Sequence, residues 1–124
     1  MRDPGRLRVV EVVLRVATLT YAATKQFPVA EWQGMVPQMR RAAVSIGSNI
    51  TEGCGRSSEK QFLSFLQIAM GSACELEFQC RLAHSLNYAP DDQMKALLAE
   101  VQQCKRMLAR LSLNIRERTE AHRS

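Results

Sequence analysis

Apolar residues recur at steps of three and four along most of the chain, the spacing that places side chains on one face of an α-helix. Between positions 38 and 76 the pattern gives two such faces, separated by a short break that contains glycine. The first face carries Met39, Ala42, Ala43, Ile46, Ile50 and Gly53, and the second carries Phe62, Phe65, Leu66, Ala69, Ala73, Leu76, Cys80 and Ala83. Two helices joined by so short a turn form an antiparallel hairpin, which is half of a four-helix bundle.

The residues at the break predict how one helix ends and the next begins. Glycines at 53 and 55 suit a left-handed helix end, and Ser58 with Gln61 forms a capping box for the following helix. Small residues on the first helix, including Gly53, should also let its neighbour approach closely. The hairpin is therefore predicted to be tight, with Ser45, Asn49 and Glu52 along a polar edge.

Two further segments have the length and pattern of helices. Residues 7–24 are apolar and rich in valine, which leaves a buried strand as the alternative, but the length without an internal turn favours helix. This segment is apolar on more than one face, so we expect it to be covered on two sides, by other helices or by another subunit. Asp91 and Asp92 stand where a helix start favours negative charge, and an apolar stripe follows as far as Ile115.

The chain is thus predicted to be all-α, an antiparallel up-down-up-down four-helix bundle that forms a single domain over residues 1–124. The helices should span roughly 7–24, 30–53, 58–86 and 91–118, with irregular ends at 1–6 and 119–124. Trp32, the only tryptophan, lies in the first connection. It is interpreted either as a lid over the end of the bundle or as an interface anchor.

Composition bounds the class of protein. The chain has 124 residues, of which 46% are hydrophobic, so it can bury a core. Only 6% of the residues are aromatic, which is typical of helices that pack through small aliphatic side chains. No run of eighteen apolar residues predicts a membrane span. Asp3, Glu11 and Arg15 interrupt the N-terminal segment and argue against a signal peptide, so we expect a cytoplasmic protein with four reduced cysteines.

The formal net charge of +5 is unevenly distributed. An up-down-up-down bundle brings residues 1–15, 49–62 and 105–124 to one end, and these segments carry net charges of +2, 0 and +4. Such a basic end could bind the phosphates of structured RNA or DNA, whereas the alternative is solvated helix ends with arginines favoured by the helix dipole. The candidate nucleic-acid-binding residues are Arg2, Arg6, Arg8, Arg56, Lys60, Arg116 and Arg118. No aromatic residues accompany them, so stacking on single strands is not supported.

A second apolar strip exceeds what a bundle core requires. Leu63, Met70 and Cys74 lie about a quarter turn from the main stripe of the third helix, and Val44 lies off the main stripe of the second. We interpret these four residues as a possible oligomer interface, since excess apolar surface indicates a partner.

No motif of catalysis or metal binding is present in the sequence. Glu75 and Glu77 lie on different helix faces and are better explained by ion pairs with Arg41 or Arg81. The cysteines show no CxxC spacing and the two histidines no HExxH, while the glycine turn follows a helix and lacks the lysine of a phosphate-binding loop. We therefore predict no enzyme activity, no metal and no cofactor, and only a site assembled across subunits would change that prediction.

The order of motifs resembles a known family. The matching residues are Phe27-Pro28, Glu31, Gln38, Arg41–Ile46, Ser48–Ile50, Glu52-Gly53, Arg56, Phe62-Leu63, Ile68-Ala69, Gly71-Ser72, Glu75, Glu77 and Leu86–Tyr88. Together they resemble the bacterial four-helix-bundle proteins called the 23S rRNA intervening-sequence protein family, or S23 proteins. Two departures are Pro37, where the family usually has a small polar residue, and Asn87, where it usually has glycine.

The resemblance implies an antiparallel four-helix bundle that assembles as a homopentamer and has no established biochemical activity. Two functional hypotheses follow from the sequence and the resemblance together. In the first, a homo-oligomeric bundle binds structured RNA or DNA through its basic end. In the second, the protein is an adaptor for an unidentified protein partner and binds no nucleic acid.

Overall fold

The computed structural model describes residues 4–121, and four long helices account for most of them. Helix α1 spans Pro4–Thr24, α2 spans Met35–Cys54, α3 spans Glu59–Ser85 and α4 spans Asp91–Ala121. A single 3₁₀ turn, Val29–Glu31, lies between α1 and α2. No strand occurs within residues 4–121, so the valine-rich first segment is a helix, and the all-α prediction is confirmed.

Each helix packs against two neighbours, in the cyclic order α1, α2, α3, α4. The core lies on the axis of this four-sided bundle and is built from the apolar stripe of every helix. Its largest fully buried side chains are Phe62, Met39, Ile46, Ile50, Leu66, Leu76, Met94, Leu97, Leu108, Ile115, Val9 and Val16. Two buried threonines on α1, Thr20 and Thr24, are satisfied because their hydroxyls each donate to the carbonyl four residues earlier, at 2.7 Å.

Helix α2 begins at Met35, five residues later than the predicted start at position 30. The Glu31 carboxylate accepts a hydrogen bond from the Met35 backbone amide at 3.2 Å and so satisfies one amide at the new helix start. Pro37 lies in the first turn, where a backbone N–H has no partner within the helix, and its presence is therefore compatible with the helix. At the other end of the chain, α4 continues to Ala121 instead of ending at 118.

The α2–α3 turn confirms the predicted capping residue and corrects the predicted glycine conformation. Ser58 Oγ accepts a hydrogen bond from the Gln61 amide at 3.1 Å, as a helix cap requires. The turn contains no left-handed glycine, and Gly55 has a φ of −81°. Gly53 is required for a different reason, since a Cβ there would lie 2.7 Å from Phe62 and 2.8 Å from Phe65.

The left-handed residue lies instead at the end of α3. Asn87 has a φ of 57°, in the region that asparagine tolerates better than most residues with a side chain. This conformation explains why asparagine can stand at a position where a glycine was expected. No helix among residues 4–121 is both long enough and apolar enough to cross a membrane.

Candidate nucleic-acid interface

The basic end is assembled around one carboxylate. Glu59, in the first turn of α3, accepts hydrogen bonds from Arg6 of α1 at 2.7 Å and from Arg118 of α4 at 3.0 Å. These two contacts confirm that the beginning of α1, the α2–α3 turn and the end of α4 lie together. They also show that part of the positive charge at this end is already neutralised within the chain.

Three of the candidate cations are engaged in this way. Arg6 is mostly buried, with its guanidinium 4.2 Å from the centre of the Phe62 ring as well as paired to Glu59. Arg56 pairs with Glu52 at 2.5 Å and lies 5.1 Å from the Phe65 ring centre. Arg118 shares Glu59 with Arg6. For these three residues the prediction identified the right end of the molecule but missed their acidic partners.

Three other candidates are directed to solvent. Arg8, Lys60 and Arg116 are exposed, and none of them forms an ion pair with another described residue. They lie on different sides of the same end, on α1, α3 and α4 respectively. Arg2 lies outside the described residues.

The structure adds one cation that the prediction did not include. Arg110 lines a groove of about 160 Å³ between α1 and α4, together with Arg8, Gln103 and Asn114. Two guanidinium groups and two amide side chains supply hydrogen-bond donors of the kind that phosphate oxygens accept. The sequence did contain one indication of this role, since Arg110 lies in the basic segment 105–124. That Arg110 lines the same groove as Arg8 could not be predicted, because it depends on how α1 and α4 pack.

Glu75 and Glu77 diverge, as their spacing predicts. Glu77 accepts from Lys105 of α4 at 2.7 Å and from Arg81 at 3.2 Å, and these contacts, the first above all, lower the pKa of its carboxyl to about 2. Glu75 is exposed, and Gln79 is the one residue among 4–121 that donates a hydrogen bond to its carboxylate. The predicted alternative partner of Glu75, Arg41, is exposed and forms no ion pair with it inside the subunit.

The cysteines have two kinds of surroundings. Cys80 and Cys104 are buried in the core, as predicted, and desolvation raises the pKa of each thiol to about 12. Cys74 is exposed, and no cysteine in residues 4–121 forms a disulfide. No group of three or more potential metal ligands was found in that same range.

The four residues predicted as an oligomer interface divide into two pairs. Val44 and Cys74 are exposed, whereas Leu63 and Met70 are half-buried against the core and contribute to the bundle itself. Of two exposed apolar surfaces, the first was predicted in part, through Val44 and the second apolar face of α1, and the second was not predicted. The first, the α1–α2 groove, has a volume of about 510 Å³ and is lined by Val10, Leu14, Ala17 and Val44 among others. The second, the outer α3 stripe, carries Ile68, Gly71, Glu75, Phe78 and Leu82.

Comparison with known proteins identifies the family. The model of the 23S rRNA-intervening sequence protein family matches residues 5–110, from the first helix to the second half of α4. The chain belongs to this family. None of the curated proteins matches the chain.

A solved structure from the same family supports the fold. It is a protein with unknown function from the S23 ribosomal protein family of Bacteroides thetaiotaomicron VPI-5482. The match covers 87% of this chain and 97% of that chain, with a TM-score of 0.77 and 24% sequence identity. At this sequence identity the likeness shows that the two proteins share a fold. The function of the present S23 family member must be argued from its own surface.

Proposed function

We propose that the protein is a non-enzymatic, cytoplasmic homo-oligomer, with five subunits, that binds structured RNA or DNA through its basic end. The observation that carries the proposal is the exposure of Arg8, Lys60 and Arg116 at one end, without an acidic partner among the described residues. Cations that are not paired within the chain can neutralise phosphates and release counterions, the main source of affinity for nucleic acids.

Self-association would increase the number of exposed cations that one nucleic acid can contact. Three exposed cations on a monomer contact few phosphates, but a ring of subunits repeats them around one axis and presents many contacts to a single nucleic acid. The groove formed by Arg8 and Arg110 is a further position for a phosphate. Exposed aromatic residues do not accompany these cations, so the preferred partner is a folded or double-stranded nucleic acid.

The family supports the proposal only in general terms. Its name refers to intervening sequences of 23S rRNA, and the related solved structure is described as a member of a ribosomal protein family with unknown function. Both descriptions concern an RNA context, and neither specifies a ligand. The proposal therefore depends on the charge at the basic end of this chain.

The first test combines mass and bound nucleic acid. Light scattering on a sizing column, with absorbance read at 260 and 280 nm, should give a mass several times the 14.0 kDa subunit and an excess at 260 nm before nuclease treatment. Binding of an RNA hairpin and of a DNA duplex is then measured between about 50 and 200 mM salt, where phosphate contacts cause a steep loss of affinity. Affinity that does not change with salt would contradict the proposal.

A charge variant identifies the surface. A triple variant in which Arg8, Lys60 and Arg116 are each changed to glutamine should bind nucleic acid more weakly. The slope of log affinity against log salt concentration should become shallower by about 1 for each phosphate contact removed. Replacing Lys25 and Lys95, which lie toward the opposite end, is the control and should leave the slope unchanged. Equal losses in both variants would indicate an effect of net charge and not of the basic end.

The adaptor hypothesis has one observation in its favour. Val29 and Trp32 are exposed, at 80% and 56%, in the connection at the opposite end from the basic residues. The Trp32 indole donates a hydrogen bond from Nε1 to the Phe27 carbonyl at 3.2 Å and leaves much of its ring in solvent. Exposed tryptophan is typical of protein interfaces. A stoichiometric protein partner retained after nuclease treatment, and lost in Trp32→Ala, would favour this function.

A further inference from the structure

We infer that the subunits associate head to tail, with the outer α3 stripe of one copy seated in the α1–α2 groove of the next. This inference rests on the self-association in the proposed function and specifies the two faces that form it. A head-to-tail contact uses two different surfaces on each subunit, and both are present on this chain.

The outer α3 stripe has the spacing of a helix-packing seam. Ile68, Gly71, Glu75, Phe78 and Leu82 follow one another at steps of three and four residues, as the knobs of a packed helix do. Its large apolar members are exposed, with Phe78 at 66% and Ile68 at 52%. The stripe from Ile68 to Leu82 is about 21 Å long at the rise of an α-helix.

Gly71 in the middle of this stripe has no explanation within the subunit. A glycine inside a helix costs about 1 kcal/mol relative to alanine, and a Cβ at this position would meet nothing within 4 Å. Gly47 and Gly53 of α2 differ in this respect, since a Cβ at either position would press on a neighbouring side chain. An approaching helix from another subunit would account for an absent side chain at Gly71.

The α1–α2 groove is the matching concave surface. Its lining is mostly apolar, with Leu14 of α1 and Val44 of α2 61% and 47% exposed, and it becomes polar toward Glu52. Past Val44 the groove continues beside Tyr21 and Trp32, where Arg40 and Arg41 also line it. Its lining therefore follows several turns of α2.

Opposite charges on the two surfaces favour contact between the stripe and the groove. Arg41, at the edge of the groove region beside Val44, is exposed and has no ion-pair partner among the described residues. Glu75, in the middle of the stripe, is an exposed carboxylate that accepts a hydrogen bond from Gln79 and forms no ion pair with another described residue. Stripe against groove brings these opposite charges together, whereas stripe against stripe would bring two Glu75 carboxylates together.

The relative position of the two surfaces favours a closed ring. The groove lies between α1 and α2 and the stripe lies on α3, the other neighbour of α2, so the two surfaces are not on opposite sides of the bundle. Head-to-tail contacts between surfaces placed in this way rotate each copy relative to the last, as a closed ring requires. Surfaces on opposite sides of the bundle would instead extend a filament.

The decisive experiment uses two complementary variants. Phe78→Asp disables the stripe and leaves the groove intact, whereas Val44→Asp disables the groove and leaves the stripe intact. Both side chains are exposed, so both variants should fold, which the thermal transition followed by circular dichroism checks. Leu113→Asp is the matched control, because Leu113 is 52% exposed on α4 and lies outside both surfaces.

Each single variant should fall to the 14.0 kDa subunit mass in light scattering, and Leu113→Asp should keep the mass of the unmodified protein. Mixing the two variants should produce a dimer of twice the subunit mass, because one intact stripe can still enter one intact groove. In addition, Arg41→Glu and Glu75→Arg should each weaken assembly roughly tenfold or more, and the double variant should recover it.

Four results would overturn the inference, and they are distinguishable. If the variants keep the oligomer mass, other faces form the ring and the proposed self-association survives. If only one variant becomes a monomer, the interface joins like surfaces, and if both are monomers that do not form a dimer on mixing, the stripe does not enter the groove. A monomeric unmodified protein would overturn both this inference and the self-association in the proposed function.

Discussion

The Tyr88 hydroxyl donates a 2.8 Å hydrogen bond to the Glu31 carboxylate, and this contact joins the two loops at the end of the bundle opposite the basic residues. Glu31 belongs to the 3₁₀ turn before α2, and Tyr88 follows the left-handed Asn87 after α3. The Tyr88 ring also lies 5.4 Å from the ring of Phe27, measured between centroids. The hydrogen bond raises the pKa of Tyr88, since an ionised phenol could not donate it.

We expect Tyr88→Phe and Glu31→Ala each to lower the midpoint of thermal unfolding, because Tyr88→Phe removes the donor of this hydrogen bond and Glu31→Ala removes its acceptor. The double variant should lose less than the sum of the two single losses, as expected for residues that interact directly. Tyr21→Phe is the control and should be neutral, since the exposed Tyr21 hydroxyl forms no hydrogen bond with any residue that the structure describes. Additive losses would show that the two residues act independently.

Gly53 is predicted to be intolerant of alanine. The added Cβ would lie under 3 Å from both Phe62 and Phe65, so α2 and α3 would have to separate or the rings would have to move. Overpacking of this kind costs about 1–3 kcal/mol of the free energy of unfolding. Gly55→Ala, two residues further on, meets only ordinary contacts at 3.5 Å and should change stability little. Urea denaturation of both variants measures the difference, and equal stability would contradict the close packing.

Glu77 should make the stability of the fold depend on acid pH. Its folded pKa of about 2 lies below the ordinary value of 4.5, so its contribution is complete above about pH 5 and is lost as pH falls toward 2. Because the side chain is only 16% exposed, removing the charge should cost about 2 kcal/mol at neutral pH. The free energy of unfolding of Glu77→Gln should therefore fall less between pH 6 and pH 3 than that of the unmodified protein.

Glu120→Gln, which removes an exposed carboxylate near the end of α4, is the control for this pH series. It should follow the pH dependence of the unmodified protein. If Glu77→Gln also follows it, the ion pairs of Glu77 with Lys105 and Arg81 do not stabilise the fold.

Glu59 is predicted to restrain nucleic-acid binding. Glu59→Gln would release Arg6 and Arg118 from their shared carboxylate and add up to two cations to the basic end of each subunit. Affinity for an RNA hairpin should rise, and the salt slope should steepen by about 1 for each cation that reaches a phosphate. The loss of these partly exposed ion pairs should cost only about 1 kcal/mol of stability.

Glu117→Gln is the matched control for this prediction, since it removes one exposed negative charge from the same end of the molecule. It should raise affinity less than Glu59→Gln. Equal increases in the two variants would mean that net charge, and not the release of paired arginines, determines binding.

Most of the fold could be predicted from the sequence, because the signals that specify a helix are local. The spacing of apolar residues gave the four helices and their buried faces, and Ser58 with Gln61 gave the start of α3. The helix limits were less accurate where a contact from outside the helix decides them, as Glu31 does at the start of α2. The left-handed conformation predicted at Gly53 and Gly55 was wrong. Glycine suits a left-handed helix end and a tightly packed helix equally well, so the sequence alone does not distinguish the two.

The candidate site was predicted only in part. The sequence determined that basic residues gather at one end, because charge order along the chain and an up-down topology are enough for that. Only the tertiary structure decided that Arg6 and Arg118 are neutralised by Glu59, more than fifty positions from each in the chain. It likewise decided that Leu63 and Met70 are half-buried against the core, since how far a helix is covered beyond its own apolar stripe depends on how closely its neighbours pack.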